Sequence, residues 1–253
     1  MIYKILKAVY RSVRGCLAPL KHKCKRVCKP PNWHYMRNLT PISNVFGYDR
    51  GTPIDRVYTD DFLAKNAEFI SGVVCEIADN TYTRAFGRGV TKSEIFHFTS
   101  DNPNATIVGD LTKHHTFPHN IADCFILTVT LNFIYDYKAA IRGIYLMLKE
   151  GGGSKPSVAL VTVAGLVQVS KYDYERWGDY WRFTDMGIKM DFEEVFGKGN
   201  VEVSSYGNVL SATAELQGIA AEELTKEELF YSDSLYPVII SIVAKKHGKK
   251  HGD

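Results

Sequence analysis

Val73-Val74-Cys75-Glu76-Ile77-Ala78-Asp79-Asn80-Thr81-Tyr82 is the stretch that decides the fold. Val73–Ile77 is a short, mostly apolar run with β-branched residues, which reads as a strand buried on both faces. Strand-like runs alternating with helical spacing follow it along the chain. Glu94–Phe98 and Thr106–Val108 are the next two strands, the latter ending at Gly109-Asp110. Cys124–Val129 and Val158–Val163 come after, separated by a helix over Tyr135–Leu148. Asp185–Phe196 reads as a further amphipathic helix, and Val201–Ser205 and Val238–Ala244 as the final strands. This alternation implies right-handed crossovers and an α/β, doubly wound, mostly parallel sheet.

Ligands of such sheets bind outside the carboxyl ends of the strands. Glu76 stands there to receive a cationic amine or a ribose hydroxyl, and Ala78 and Asp79 open a turn that brings backbone close to a ligand. The turn lacks the G-x-G-x-x-G spacing by which a pyrophosphate approaches a helix N-terminus, which disfavours NAD. Asp110 is placed to hydrogen-bond an exocyclic amine. Thr128 and Thr130 flank the end of the fourth strand and leave room for a ligand.

Arg176-Trp177-Gly178-Asp179-Tyr180-Trp181-Arg182-Phe183-Thr184 holds two of the three tryptophans, a carboxylate and two guanidiniums. Flat aromatic walls beside planar donors suit a small, polar, ring-shaped molecule. A Trp-anchored loop held by an Asp–Arg pair would use the same residues.

Apolar content of 45% and charged content of 23% are ordinary for a globular protein. The net charge of +3 is unevenly spread. Residues 1–48 carry ten Lys/Arg and no Asp or Glu, leaving 21 basic and 28 acidic residues for the rest. Residues 1–40 therefore read as a basic arm and linker, 41–246 as the folded domain and 247–253 as a tail. On a helix, Ile2, Ile5, Leu6, Val9, Val13, Leu17 and Leu20 form one stripe opposite Lys4, Lys7, Arg11 and Arg14. Residues 1–30 are thus built to lie in an anionic membrane interface, or to dock on protein. An acidic domain without a recognition motif argues against nucleic acid. No apolar run reaches the ~20 residues of a membrane span. Five cysteines make an odd count, which points to a reducing compartment, hence the cytoplasm, peripheral on the inner face of a membrane. Cys16, Cys24, Cys28 and His22 lack a second pair at finger spacing, and His114, His115 and His119 read as a solvated loop; no metal is expected.

Together these landmarks resemble the class I S-adenosylmethionine-dependent methyltransferases, a Rossmann-like fold with a seven-stranded sheet. Val73–Asp79 is similar to their first cofactor motif. Val108-Gly109-Asp110-Leu111 resembles the adenine-side strand, Ala122–Thr128 the fourth-strand motif, and Leu148-Lys149-Glu150-Gly151-Gly152 the turn before the fifth strand. More narrowly, Phe46–Tyr58 and the Trp-rich block resemble a methyltransferase type 11-like subgroup associated with glycosyltransferases and polysaccharide assembly. The resemblance implies S-adenosyl-L-methionine as cofactor, held by Glu76, Ala78, Asp79, Tyr82, Asp110, Leu111, Thr128, Thr130 and Tyr58. It implies O-methylation of a sugar hydroxyl in a surface glycan or its lipid-linked precursor, and a glycosyltransferase partner. The alternatives are a non-sugar acceptor and a non-catalytic module that recruits a glycosyltransferase. The family has glycine where Ala78 stands, and further glycines at Asn80 and Tyr82. Transfer to a hydroxyl needs a base; Asp179 is the first choice and Asp173 the second. Trp177, Tyr180 and Trp181 would stack on the sugar, Arg182 would orient an oxygen or phosphate, and Arg50 and Arg56 would cap the site.

Overall fold

The computed structural model describes residues 37–151 and 155–248. Packing separates Met1–Thr40 from Pro41–Asp253; in the first unit only 37–40 are described, a short turn with Leu39 exposed. The expected amphipathic helix lies outside the described residues. No helix among the described residues is long and apolar enough to cross a membrane.

Seven strands form one sheet: β1 (Gly72–Ile77), β2 (Val90–His97), β3 (Ile107–Val108), β4 (Cys124–Thr128), β5 (Ser157–Ala164), β6 (Val201–Tyr206) and β7 (Ile239–Lys246). Their order is β3-β2-β1-β4-β5-β7-β6. The first five strands run parallel, and β7 lies antiparallel between β5 and β6. The helices are α1 (Ile54–Lys65), α2 (Thr81–Phe86), α3 (Tyr137–Met147), α4 (Lys171–Arg176), α5 (Asp185–Phe196), α6 (Val209–Gln217) and α7 (Lys226–Phe230).

Strand side chains alternate faces, so an uninterrupted apolar run fills two cores at once. Phe125, Leu127, Ala159 and Val161 point to one side, where they meet Ile141 and Ile144 of α3 and Phe192 of α5. Cys124, Ile126, Val158 and Leu160 point to the other, against Phe62 and Leu63 of α1. All eight residues of β5 are buried. Each fully buried Leu, Ile or Phe contributes about 1.5–3 kcal/mol of transfer free energy. Cys75 and Cys124 are buried among them, and that burial pushes both thiols up.

Beyond β6, α6 stops at Gly218, which takes φ +65°, and a 3₁₀ turn over Ala221–Glu223 follows. Glycine in the left-handed conformation just past the last turn is a standard helix stop. The second strand begins at Val90 and ends at His97, which leaves Phe98 exposed at its tip.

The strand order reverses between β1 and β4, so the carboxyl ends of these two strands diverge and open a crevice. Its depth depends on α3 seating closely against the segment after β3. At Gly143 a Cβ would collide with the Leu111 carbonyl oxygen. Gly143→Ala would gain about 1 kcal/mol of helix propensity but overpack a backbone contact at about 1–3 kcal/mol. We expect a net loss, read as a melting temperature about 2–4 °C lower. An unchanged or raised melting temperature would contradict this packing.

Candidate active site

At the switch point lies a cleft of about 1380 Å³. Its β1 side is built around Glu76, which is 3% exposed. The carboxylate accepts the Tyr82 N–H at 3.0 Å, the Thr83 N–H at 2.8 Å and the Thr83 hydroxyl at 2.7 Å. These amides open α2 and have no helical partner of their own, so Glu76 caps the helix from the strand before it. Burial raises its pKa, against the opposing pull of these hydrogen bonds. Three of the carboxylate's acceptor positions are thereby used on protein, while Glu76 still lines the cleft.

Ala78 follows with φ +69°, a conformation that favours glycine. Hydrogen bonds hold it there, from its own N–H to the Phe96 carbonyl at 2.9 Å and from Asn102 Nδ2 to its carbonyl at 2.6 Å. Ala78 thus holds, without being glycine, a backbone conformation that favours glycine. Asp79 turns one oxygen back to the Thr81 N–H. Beyond β3, Asp110 accepts the Thr112 N–H and hydroxyl at 2.9 and 2.7 Å. Burial raises its pKa, but Thr112 and Lys113 outweigh it and hold the carboxyl below its usual range.

The floor is the end of β4. Val129 takes φ +43°, which a β-branched residue rarely adopts. Its N–H reaches the Thr162 carbonyl at 2.8 Å, and Thr130 Oγ1 donates to the Thr128 carbonyl at 2.8 Å. The carbonyl of Asn132 accepts the Tyr180 and Trp181 N–H groups at 2.8 and 3.3 Å, tying the floor to the loop after β5.

That loop is organised by Arg182. Nε donates to the Val167 carbonyl at 2.9 Å. Nη1 donates to Asp179 Oδ1 and the Trp181 carbonyl at 2.5 and 2.8 Å. Nη2 donates to the Gln168 carbonyl and Asp179 Oδ2 at 2.6 and 2.9 Å. All five guanidinium donors are used. Asp179 also accepts the Ser170 N–H at 3.1 Å, and its side chain is 1% exposed. Arg182 therefore has no donor left for a substrate oxygen or phosphate, and Asp179 braces the loop instead of standing open as a base.

Asp173 keeps one oxygen without a hydrogen bond, the other accepting the Ser170 hydroxyl at 2.6 Å. Tyr82, Leu111, Arg56, Trp177 and Tyr180 also line the cleft. Trp177 stands edge-on to His97 and Phe98, across from its own loop. Arg56 donates to the hydroxyls of Tyr48 and Tyr82 at 3.1 and 3.2 Å.

Three expected site residues are not brought to the cleft. Tyr58 is fully buried; its hydroxyl donates to the Leu229 carbonyl at 2.6 Å and its ring stacks on Tyr206. Trp181 donates to the Tyr135 carbonyl and packs on Tyr137. Arg50 forms a two-pronged pair with Glu223. The sequence reading passed over His97, Tyr135 and Asn132, all of which line the cleft. His97 and Asn132 follow from the strand-end rule once β2 and β4 are ended correctly; nothing local marks Tyr135.

No protein-family model matches the chain, and no curated protein matches it. Among solved structures it is similar to an S-adenosylmethionine-dependent methyltransferase from Archaeoglobus fulgidus, at 13% identity over 76% of this chain and 94% of that one, TM-score 0.48. A Mesorhizobium loti S-adenosylmethionine-dependent methyltransferase is similar at 13% identity over 76% and 97%, TM-score 0.46. The [4+2]-cyclase SpnF is similar at 15% identity over 83% and 90%, TM-score 0.46. The strand order with its antiparallel β7 is itself the sheet of the Rossmann-like methyltransferase fold. One such sheet supports different chemistries, so activity has to be read from the cleft.

Arg182→Lys retains the charge but not the fork. We expect a loss of about 2–3 kcal/mol in urea unfolding, because several loop carbonyls and Asp179 lose their donors together. A variant as stable as the parent would remove Arg182 from its organising place.

Proposed function

We propose that this chain binds S-adenosyl-L-methionine and methylates a sugar hydroxyl of a surface glycan or its lipid-linked precursor. The observation that carries the cofactor is the left-handed Ala78 turn at the switch point, where backbone on the wall of the cleft is bent against its own preference. The charge of the cleft fits as well. Nine carboxylates and three Lys/Arg line it, and such a wall attracts a sulfonium bearing an α-ammonium group. Bound there, the cofactor supplies an electrophilic methyl group to an in-line nucleophile.

The chain's residues would then divide the work. Asp79 and Tyr82 flank the amino-acid end of the cofactor, and Asp110, Leu111 and Thr128 its other end. Tyr180 and Trp177 offer flat faces to the acceptor. Asp173 takes the base's role, since its free oxygen can receive the hydroxyl proton. Asp179 moves from base to brace. The acidic lining also favours a second reading, an amine acceptor that enters as a cation. Both readings disfavour a strongly anionic acceptor. The basic residues 1–30 would hold the domain at an anionic membrane, where a lipid-linked glycan is made, beside a glycosyltransferase partner.

Calorimetry with S-adenosylhomocysteine should show one site, and no binding would sink both readings. With labelled methyl donor, methyl glycosides should accept label in preference to alkylamines; the reverse preference selects the amine. Asp173→Asn should slow turnover about 10²–10⁴-fold without changing S-adenosylhomocysteine affinity. Removal of residues 1–30 should abolish sedimentation with phosphatidylserine vesicles yet spare turnover of soluble glycosides; persistent sedimentation refutes the membrane role.

A further inference from the structure

Asn132 is 2% exposed, lines the cleft from the 3₁₀ turn that follows β4, and its Oδ1 is buried without a hydrogen-bond partner among the described residues. Its backbone carbonyl holds the Tyr180 and Trp181 N–H groups. A buried amide left unpaired is costly, and native proteins rarely keep one without a use for it. Neighbouring polar groups are occupied: Thr130 Oγ1 donates to the Thr128 carbonyl, and Arg182 and Asp179 satisfy each other.

From this we infer that Asn132 is a ligand-binding residue whose amide recognises a pair of adjacent hydroxyls on the acceptor. The inference rests on the sugar reading above and narrows it. An amide presents a donor and an acceptor side by side, and a vicinal diol presents the complementary pair. Position favours the acceptor over the cofactor. Through its carbonyl, Asn132 is fastened to Tyr180 and Trp181 of the loop after β5, whereas Ala78 is fastened to β2 and Asp79 to the start of α2.

Asn132→Leu keeps the number of side-chain heavy atoms, removes the polarity and leaves both backbone bonds in place. The ligand-free variant should melt about 2–4 °C higher than the parent, because an unpaired buried amide has been removed. Its affinity for S-adenosylhomocysteine should stay within about twofold. In saturation-transfer NMR with S-adenosylhomocysteine present, binding of vicinal-diol methyl glycosides should weaken about tenfold or more. A lower melting temperature would make the amide structural and overturn the inference. So would a tenfold loss of S-adenosylhomocysteine affinity, which assigns the amide to the cofactor, or unchanged glycoside binding. If the parent itself binds no S-adenosylhomocysteine, the methyltransfer reading fails separately; the melting temperature then decides, a rise keeping Asn132 as a ligand group and a fall removing it.

Discussion

The five donors of Arg182 are the constraint from which the β5 side of the cleft follows. A guanidinium is rigid and planar, so three backbone carbonyls and one carboxylate must come to it in fixed directions. That fixes Val167, Gln168, Asp179 and Trp181 relative to one another. Ser170 is fixed through Asp179 and Asp173 through Ser170. A segment with few buried side chains thus gains a defined shape from polar geometry alone. The aromatic residues it carries are presented by that hub, not gathered by a core of their own.

The cofactor side is held differently, by backbone bent into sparsely populated conformations. Ala78 and Val129 sit at the ends of the two strands that flank the switch point, both with positive φ. Such conformations cost on the order of 1–3 kcal/mol each and persist only where neighbours overdetermine them. Here the neighbours are β2 at Phe96, Asn102 from the following loop, and β5 at Thr162. Glu76, inside the sheet, holds the start of α2 and keeps the intervening turn short.

The sheet was legible in the sequence because burial on both faces leaves a plain signal: Val73–Ile77, Cys124–Thr128 and Val158–Val163 are mostly apolar, each broken by a single polar residue. Ala78, Asp79, Asp110, Thr128 and Thr130 were expected at strand ends for the same reason, and all of them line the cleft. What the sequence could not show was which partner a polar group had chosen. Asp179 and Arg182 stand three apart and look alike whether they face a substrate or each other. Tyr58 has the composition of a site residue, yet α1 turns it into the core beside Tyr206. Asn132 went unnoticed because its significance is an absence of partners, and that exists only in three dimensions.

The hub has a further consequence for how this cleft can change over generations. Tyr172, Tyr174 and Tyr180 contribute no side chain to the Arg182 cluster, and each is largely exposed. Mutations among them can reshape the rim without dismantling the loop, whereas Arg182 and Asp179 can be altered only together. The β5 side of the cleft is therefore divided into a fixed frame and a surface that takes no part in the bracing, an arrangement by which the rim can change while the loop stays folded.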